Sequence, residues 1–172
     1  MPEGPRVPSL DHMTMDIRFF EDGDREAVTA LALRAWEPVH ASLREVLGEE
    51  LYRTLVPDWR RAQRDEVTGS LDAEEQHVWV AETDGMVVGF TVARLLPEDD
   101  MGEIHLLAVD PAHQGRGIGT ALTEVATDWI RDQGMAVAMV ETGGDDGHAP
   151  ARAAYERAGY TRLPVARYFR RL

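Results

Sequence analysis

Apolar and polar positions change period several times along this chain, and each change predicts an element. Asp16 to Phe20 alternates and reads as a short strand. Asp22-Gly23-Asp24 then offers capping oxygens, and Ala27, Val28, Leu31 and Ala35 recur at helical spacing. Pro38 is expected to interrupt that helix. Leu43, Leu47, Leu51 and Leu55 step by four with Gly48 between them, which predicts two short helices, and helical character continues from Trp59 to Arg64. Apolar runs at Val78–Ala81 and Met86–Ala93 flank Asp84-Gly85, a strong signal for a two-residue hairpin.

The second half is more regular. Glu103 to Val109 predicts a strand that Pro111 closes. Ile118, Ala121, Leu122, Val125, Ala126, Trp129 and Ile130 share one face of a helix, which Gly134 ends. Met135 to Val140 is almost wholly apolar, as in a strand covered on both faces. A glycine- and aspartate-rich loop, Thr142 to Gly147, leads to a helix over His148–Ala158, and Leu163 to Phe169 predicts a last strand. The order βααβββαβαβ mixes a hairpin with a strand–helix–strand unit. It predicts an α/β (α+β) fold, a mixed and mostly antiparallel sheet flanked by helices.

Between the strand at 103–109 and the helix at 118–130 stands Gln114-Gly115-Arg116-Gly117-Ile118-Gly119. Glycines let several backbone N–H groups converge, and the helix N-terminus adds about half a positive charge, so the turn suits a phosphate. Composition narrows the phosphate's owner. All 18 cationic side chains are arginine, so a P-loop lysine and a pyridoxal Schiff base are both excluded. There is no cysteine and no asparagine, and the three serines, Ser9, Ser42 and Ser70, lie outside any nucleophile elbow. Covalent catalysis has few candidates, which favours direct transfer between two bound molecules. The six histidines show no ligand spacing, and no metal is expected. The net charge of −13 argues against nucleic acid and mildly favours cationic partners such as amines. No apolar run spans a membrane, and residues 1–15, with three prolines, predict a flexible tail rather than a signal peptide. Met13 or Met15 could be the start, the domain is expected over 16–172, and the expected compartment is the cytoplasm.

At these residues the chain resembles the GCN5-related N-acetyltransferase (GNAT) family. Gln114–Gly119 matches that family's Q/R-x-x-G-x-G/A motif, and Ala149–Tyr160, with Tyr155-Glu156-Arg157, is similar to its last-helix motif. The resemblance covers about 16–170. It implies a sheet of six to seven strands, splayed between the fourth and fifth, with acetyl-CoA as co-substrate and no metal. It implies N-acetyl transfer to a primary amine of a small molecule or peptide, and it allows a homodimer. The rival readings are a non-catalytic acyl-CoA sensor on the same fold and a dinucleotide-dependent oxidoreductase; the latter lacks a full G-x-G-x-x-G. By the same resemblance, Leu107, Ala108, Val109, Gln114, Gly115, Arg116, Gly117, Ile118, Gly119, Thr120, His148 and Arg152 would hold the cofactor. His148 stands near the family's usual asparagine. Glu103, eleven residues before Gln114, takes the base role, with His105 on the same strand face as relay or alternative base. Tyr155 takes the role of acid to the departing thiolate. Trp36, Tyr52 and Trp59, with Tyr168 and Phe169, are candidates for the acceptor side, whereas Trp79 reads as core.

Overall fold

Alternation becomes a five-stranded sheet in the order β1-β2-β3-β4-β5. The computed structural model describes residues 15–172, so the predicted tail lies outside the described residues except for Met15, which opens β1 (Met15–Phe19). β2 (Gln76–Thr83) and β3 (Met86–Leu96) form the expected hairpin, with Asp84 and Gly85 at φ 52 and 76. Those left-handed angles are what a two-residue turn between right-twisting strands needs. β4 (Met101–Val109) pairs antiparallel with β3, and β5 (Val137–Val140) runs parallel to β4.

Helices cover both faces. On one side α1 (Arg25–Leu47) and α3 (Trp59–Asp72) place Val28, Leu31, Ala32 and Val67 against Val80, Phe90, Val92, Leu106 and Ala108. On the other, α4 (Ile118–Asp132) seats Ile118, Leu122, Ala126 and Ile130 on Trp79, Ala81, Val88, Ala93 and Ile104. Gly102 lets α4 approach β4: a Cβ there would fall 2.5 Å from Ile130 Cγ2. Among the described residues no helix is long and apolar enough to cross a membrane.

Two expectations are corrected. Pro38 does not interrupt α1, which runs unbroken past it to Gly48 (φ 77), where α2 (Glu49–Leu55) begins. The proline forfeits one backbone hydrogen bond, but α1 is held by packing on both sides of it. Val28, Leu31 and Ala32 lie in the core, while Ser42 Oγ accepts from the Gly147 N–H. Leu163–Phe169 forms no strand, so the sheet has five strands rather than six or seven. Pro164 removes a ladder donor, and three ion pairs carry the segment across the surface instead: Arg162–Glu156, Arg167–Glu141 and Arg171–Glu50. Leu163, Val165 and Tyr168 stay exposed.

Where α1, α2 and α3 meet, His40 stacks on Trp59 with ring centroids 4.4 Å apart, and its Nδ1 lies 3.0 Å from the Tyr52 hydroxyl. Burial, then the positive charges of His148, Arg44 and Arg60, push its pKa down from 6.5 to about 4.

Gly102→Ala should lower stability by about 1–3 kcal/mol, because the clash is with a β-branched side chain fixed in a helix; thermal unfolding checks this. His40 makes stability pH-dependent. Between about 4 and 6.5 the unfolded chain binds a proton that the folded chain refuses. The contribution is therefore present above pH 6.5 and is lost as pH falls towards 4. His40→Gln should lose less stability between pH 7.5 and 4.5 than the wild type does, measured by urea unfolding at both pH values.

Candidate active site

The parallel pairing of β4 with β5 ends at Ile104–Val140, while β4 continues for five more residues. At that point β4 also bulges. Val92 pairs with Leu106 and Ala93 with Ile104, which leaves His105 as an extra residue. The bulge turns Leu106 and Ala108 towards the α1 core, although Ile104 faces α4. The amide groups divide accordingly. Leu106 O accepts from Thr91 Oγ1 at 3.2 Å, and the Asp110 N–H donates to Val88 O at 2.8 Å, so the even-numbered residues face β3. Leu107 and Val109 therefore turn theirs to the gap. Ala108, grouped with them in the sequence, turns its amide to β3 and its side chain to the core.

The gap leads directly into the glycine turn. Gly115 (φ 76) and Gly117 (φ 82) are left-handed, and the first helical bond of α4 runs from Ala121 N–H to Gly117 O. The N–H groups of Ile118, Gly119 and Thr120 thus head the helix without helical acceptors, at its positive end. Gln114 Nε2 donates to Val109 O at 3.2 Å and folds the turn back onto β4. Asp110 accepts from Ala112 N–H and, through Oδ2, from Arg34 of α1 at 3.0 and 2.5 Å. Burial opposes its charge, but these bonds together hold the carboxyl below the usual carboxylate range.

On the α3 side of β4, Glu103 Oε2 accepts from Arg94 Nε at 2.6 Å, a pair directly across β3–β4. Its other oxygen lies 3.9 Å from His105 Nδ1. His105 Nε2 in turn lies 4.0 Å from Glu66 Oε1 of α3. The structure thus brings Glu103 and His105 together as expected and adds Glu66. The sequence held one signal for it. The buried stripe of α3, Trp59, Gln63, Val67 and Ser70, carries two polar residues, and Gln63 donates to Glu66 at 3.4 Å.

Beyond β5, a tightly bonded loop leads to α5 (Ala149–Arg157). Asp145 Oδ1 lies 2.5 Å from His148 Nδ1, and Arg152 donates to the carbonyls of Gly143 and Asp145 at 2.6 and 2.7 Å. Burial opposes the charge of Asp145, yet Ser42 and His148 keep its carboxyl low. Arg152 is spent on this loop, which fixes where His148 sits. Tyr155, on α5, is 8% exposed; burial, then Tyr160, pushes its hydroxyl up to about 12. A Schellman ending follows, with Gly159 at φ 88 and Tyr160 N–H donating to Tyr155 O. Of the aromatic candidates, Tyr52 and Trp59 are packed around His40, Trp36 and Trp79 border or enter the core, and Tyr168 is exposed. No cluster of three His, Asp or Glu that could hold a metal occurs among the described residues.

Comparison with known proteins joins these parts. Mycothiol acetyltransferase of Cellulomonas flavigena is 31% identical over 185 residues, covering 92% of this chain but 49% of its own length. The chain thus spans about half of that relative, and 29% of the mycothiol acetyltransferase of Thermomonospora curvata, which is 36% identical over 88 residues. Among solved structures, the PaiA N-acetyltransferase of Thermoplasma acidophilum, in complex with coenzyme A, superposes with a TM-score of 0.64 at 17% identity, over 84% of this chain and 89% of its own. The sequence profile of the Acetyltransferase (GNAT) family matches residues 40–160. That span takes in the gap strand, the glycine turn and Tyr155, and on it the chain belongs to the GCN5-related N-acetyltransferase (GNAT) family.

Proposed function

We propose that this protein transfers the acetyl group of acetyl-CoA directly to a primary amine of a small molecule or peptide. One observation carries the reading: a row of β4 amides without a strand partner that continues into a left-handed glycine turn and a helix N-terminus. That row suits an extended arm ending in a pyrophosphate. Gly115 to Thr120 would receive the pyrophosphate on backbone N–H groups, and Leu107 and Val109 the arm. The Leu107 N–H would bond the thioester oxygen more strongly as it gains charge. His148 and Arg152 would shape the far wall of the gap.

An alkylammonium has no free electron pair, so a proton must leave before attack. Glu103 and His105 sit at the lip of the gap where that proton would be taken. Tyr155, held up to about 12, stays protonated at neutral pH and is able to give its proton to the departing sulfur. The lack of cysteine fits direct attack rather than an acetyl-enzyme.

A thiol-release screen of diverse amines with acetyl-CoA tests the reading, and no release with any amine would support a binding-only role. Tyr155→Phe should lower kcat about tenfold or more while the KM for acetyl-CoA changes little. With the Tyr155 hydroxyl up to about 12, the wild-type rate should show no alkaline fall assignable to it below about pH 11. Glu103→Gln keeps an acceptor for Arg94 but removes the carboxylate; kcat should fall and the pH profile change, and a profile like the wild type's would remove Glu103 as base.

A further inference from the structure

We propose that Glu66 of α3 draws the acceptor into the gap as an ammonium ion and holds His105 in place to take its proton. This rests on the transferase reading and names the acceptor's chemistry: a cationic amine that enters between α3 and β4.

Charge accounting carries the argument. Glu103 is already matched by Arg94 at 2.6 Å. Among the described residues Glu66 has no arginine partner; its ion-pair contact is His105, at 4.0 Å. Neutral His105 therefore leaves one uncompensated carboxylate at the lip of the gap. Glu66 is also held in position. Gln63, 6% exposed, donates to its Oε2 and leaves Oε1 turned to the imidazole. The bulge in β4 places His105 between Glu66 and Glu103, one residue past the last β4–β5 pair. Its distances of 3.9 and 4.0 Å to the two carboxylates exceed a direct hydrogen bond, so the ring is bracketed but not locked. The charged groups around it are Glu66 from α3, Glu103 from β4 and, behind Glu103, Arg94 from β3; the α1 residues in the adjoining core, Val28, Leu31 and Ala32, are apolar.

The step balances. The ammonium gives one proton to His105, which passes it by way of Glu103 to solvent. The freed electron pair forms the C–N bond at the thioester carbonyl, the C–S bond breaks, and sulfur takes a proton from Tyr155. The second proton, lost from nitrogen as the amide forms, restores the tyrosine.

Glu66→Gln, with Glu66→Asp as the charge-retaining control, tests this with 1,4-diaminobutane as cationic probe. With Glu66→Gln the KM for the amine should rise about three- to fivefold at low salt, the scale of a half-exposed charge pair, and the KM for acetyl-CoA should not move. Added salt should raise the wild-type KM and leave that of Glu66→Gln nearly flat. Glu66→Asp should recover most of the loss. Equilibrium binding of the same diamine, followed by the NMR signals of His105 in the presence of coenzyme A, reads the claim without turnover. Equal affinity and equal salt dependence in wild type and Glu66→Gln would overturn it. Absence of thiol release by the wild type with every amine would instead overturn the transferase reading, and the binding comparison would still decide the role of Glu66.

Discussion

A β-strand that loses its neighbour halfway along must find other partners for its amide groups, because unpaired N–H and C=O groups away from water are costly. β4 is in that position from His105 to Val109. Its β3 side is paired except at the His105 bulge, and its β5 side is open past Ile104. The open edge, the glycine turn and the head of α4 form one continuous run of donors. The rest of the molecule holds that run in place: α4 seals against Gly102 and Ile104 below the gap, and Gln114 ties the turn to Val109 above it.

Charge pairs between distant segments set the walls. Arg34 links α1 to Asp110, just ahead of the glycine turn, and Ser42 links α1 to the loop before α5. α1 therefore touches both sides of the gap, so it has to stay continuous through Pro38. On the far wall Arg152 and His148 fold the Gly143–His148 loop around Asp145. An acidic chain thus spends several of its 18 arginines on fixing backbone near the site.

The residues proposed as acid and base differ in environment. Tyr155 is buried beside another tyrosine and keeps its proton. Glu103 and His105 lie on the other side of β4, with Arg94 and Glu66 beside them. That separation would suit direct transfer of an acetyl group to an amine.

Much of this was legible in the sequence where the information is local. Asp84-Gly85 is a turn because only certain residues accept two left-handed angles, and Gly115 and Gly117 mark the turn before α4 for the same reason. The α4 stripe and the pairing of Glu103 with His105 on one strand face follow from periods of 3.6 and 2. Other features depend on partners far along the chain. Simple alternation puts Ile104, Leu106 and Ala108 on one face, but the bulge at His105 splits them between two cores. Pro38 stays helical because α1 packs on both sides of it, and Leu163–Phe169 stays unpaired because no ladder takes it up. Glu66 reaches His105, 39 positions away, only because α3 packs against α1 and β2. Backbone propensity and periodicity act within a few residues and are written in the sequence; bulges, gaps and charge partners are settled by which surfaces meet, and only the folded chain decides that.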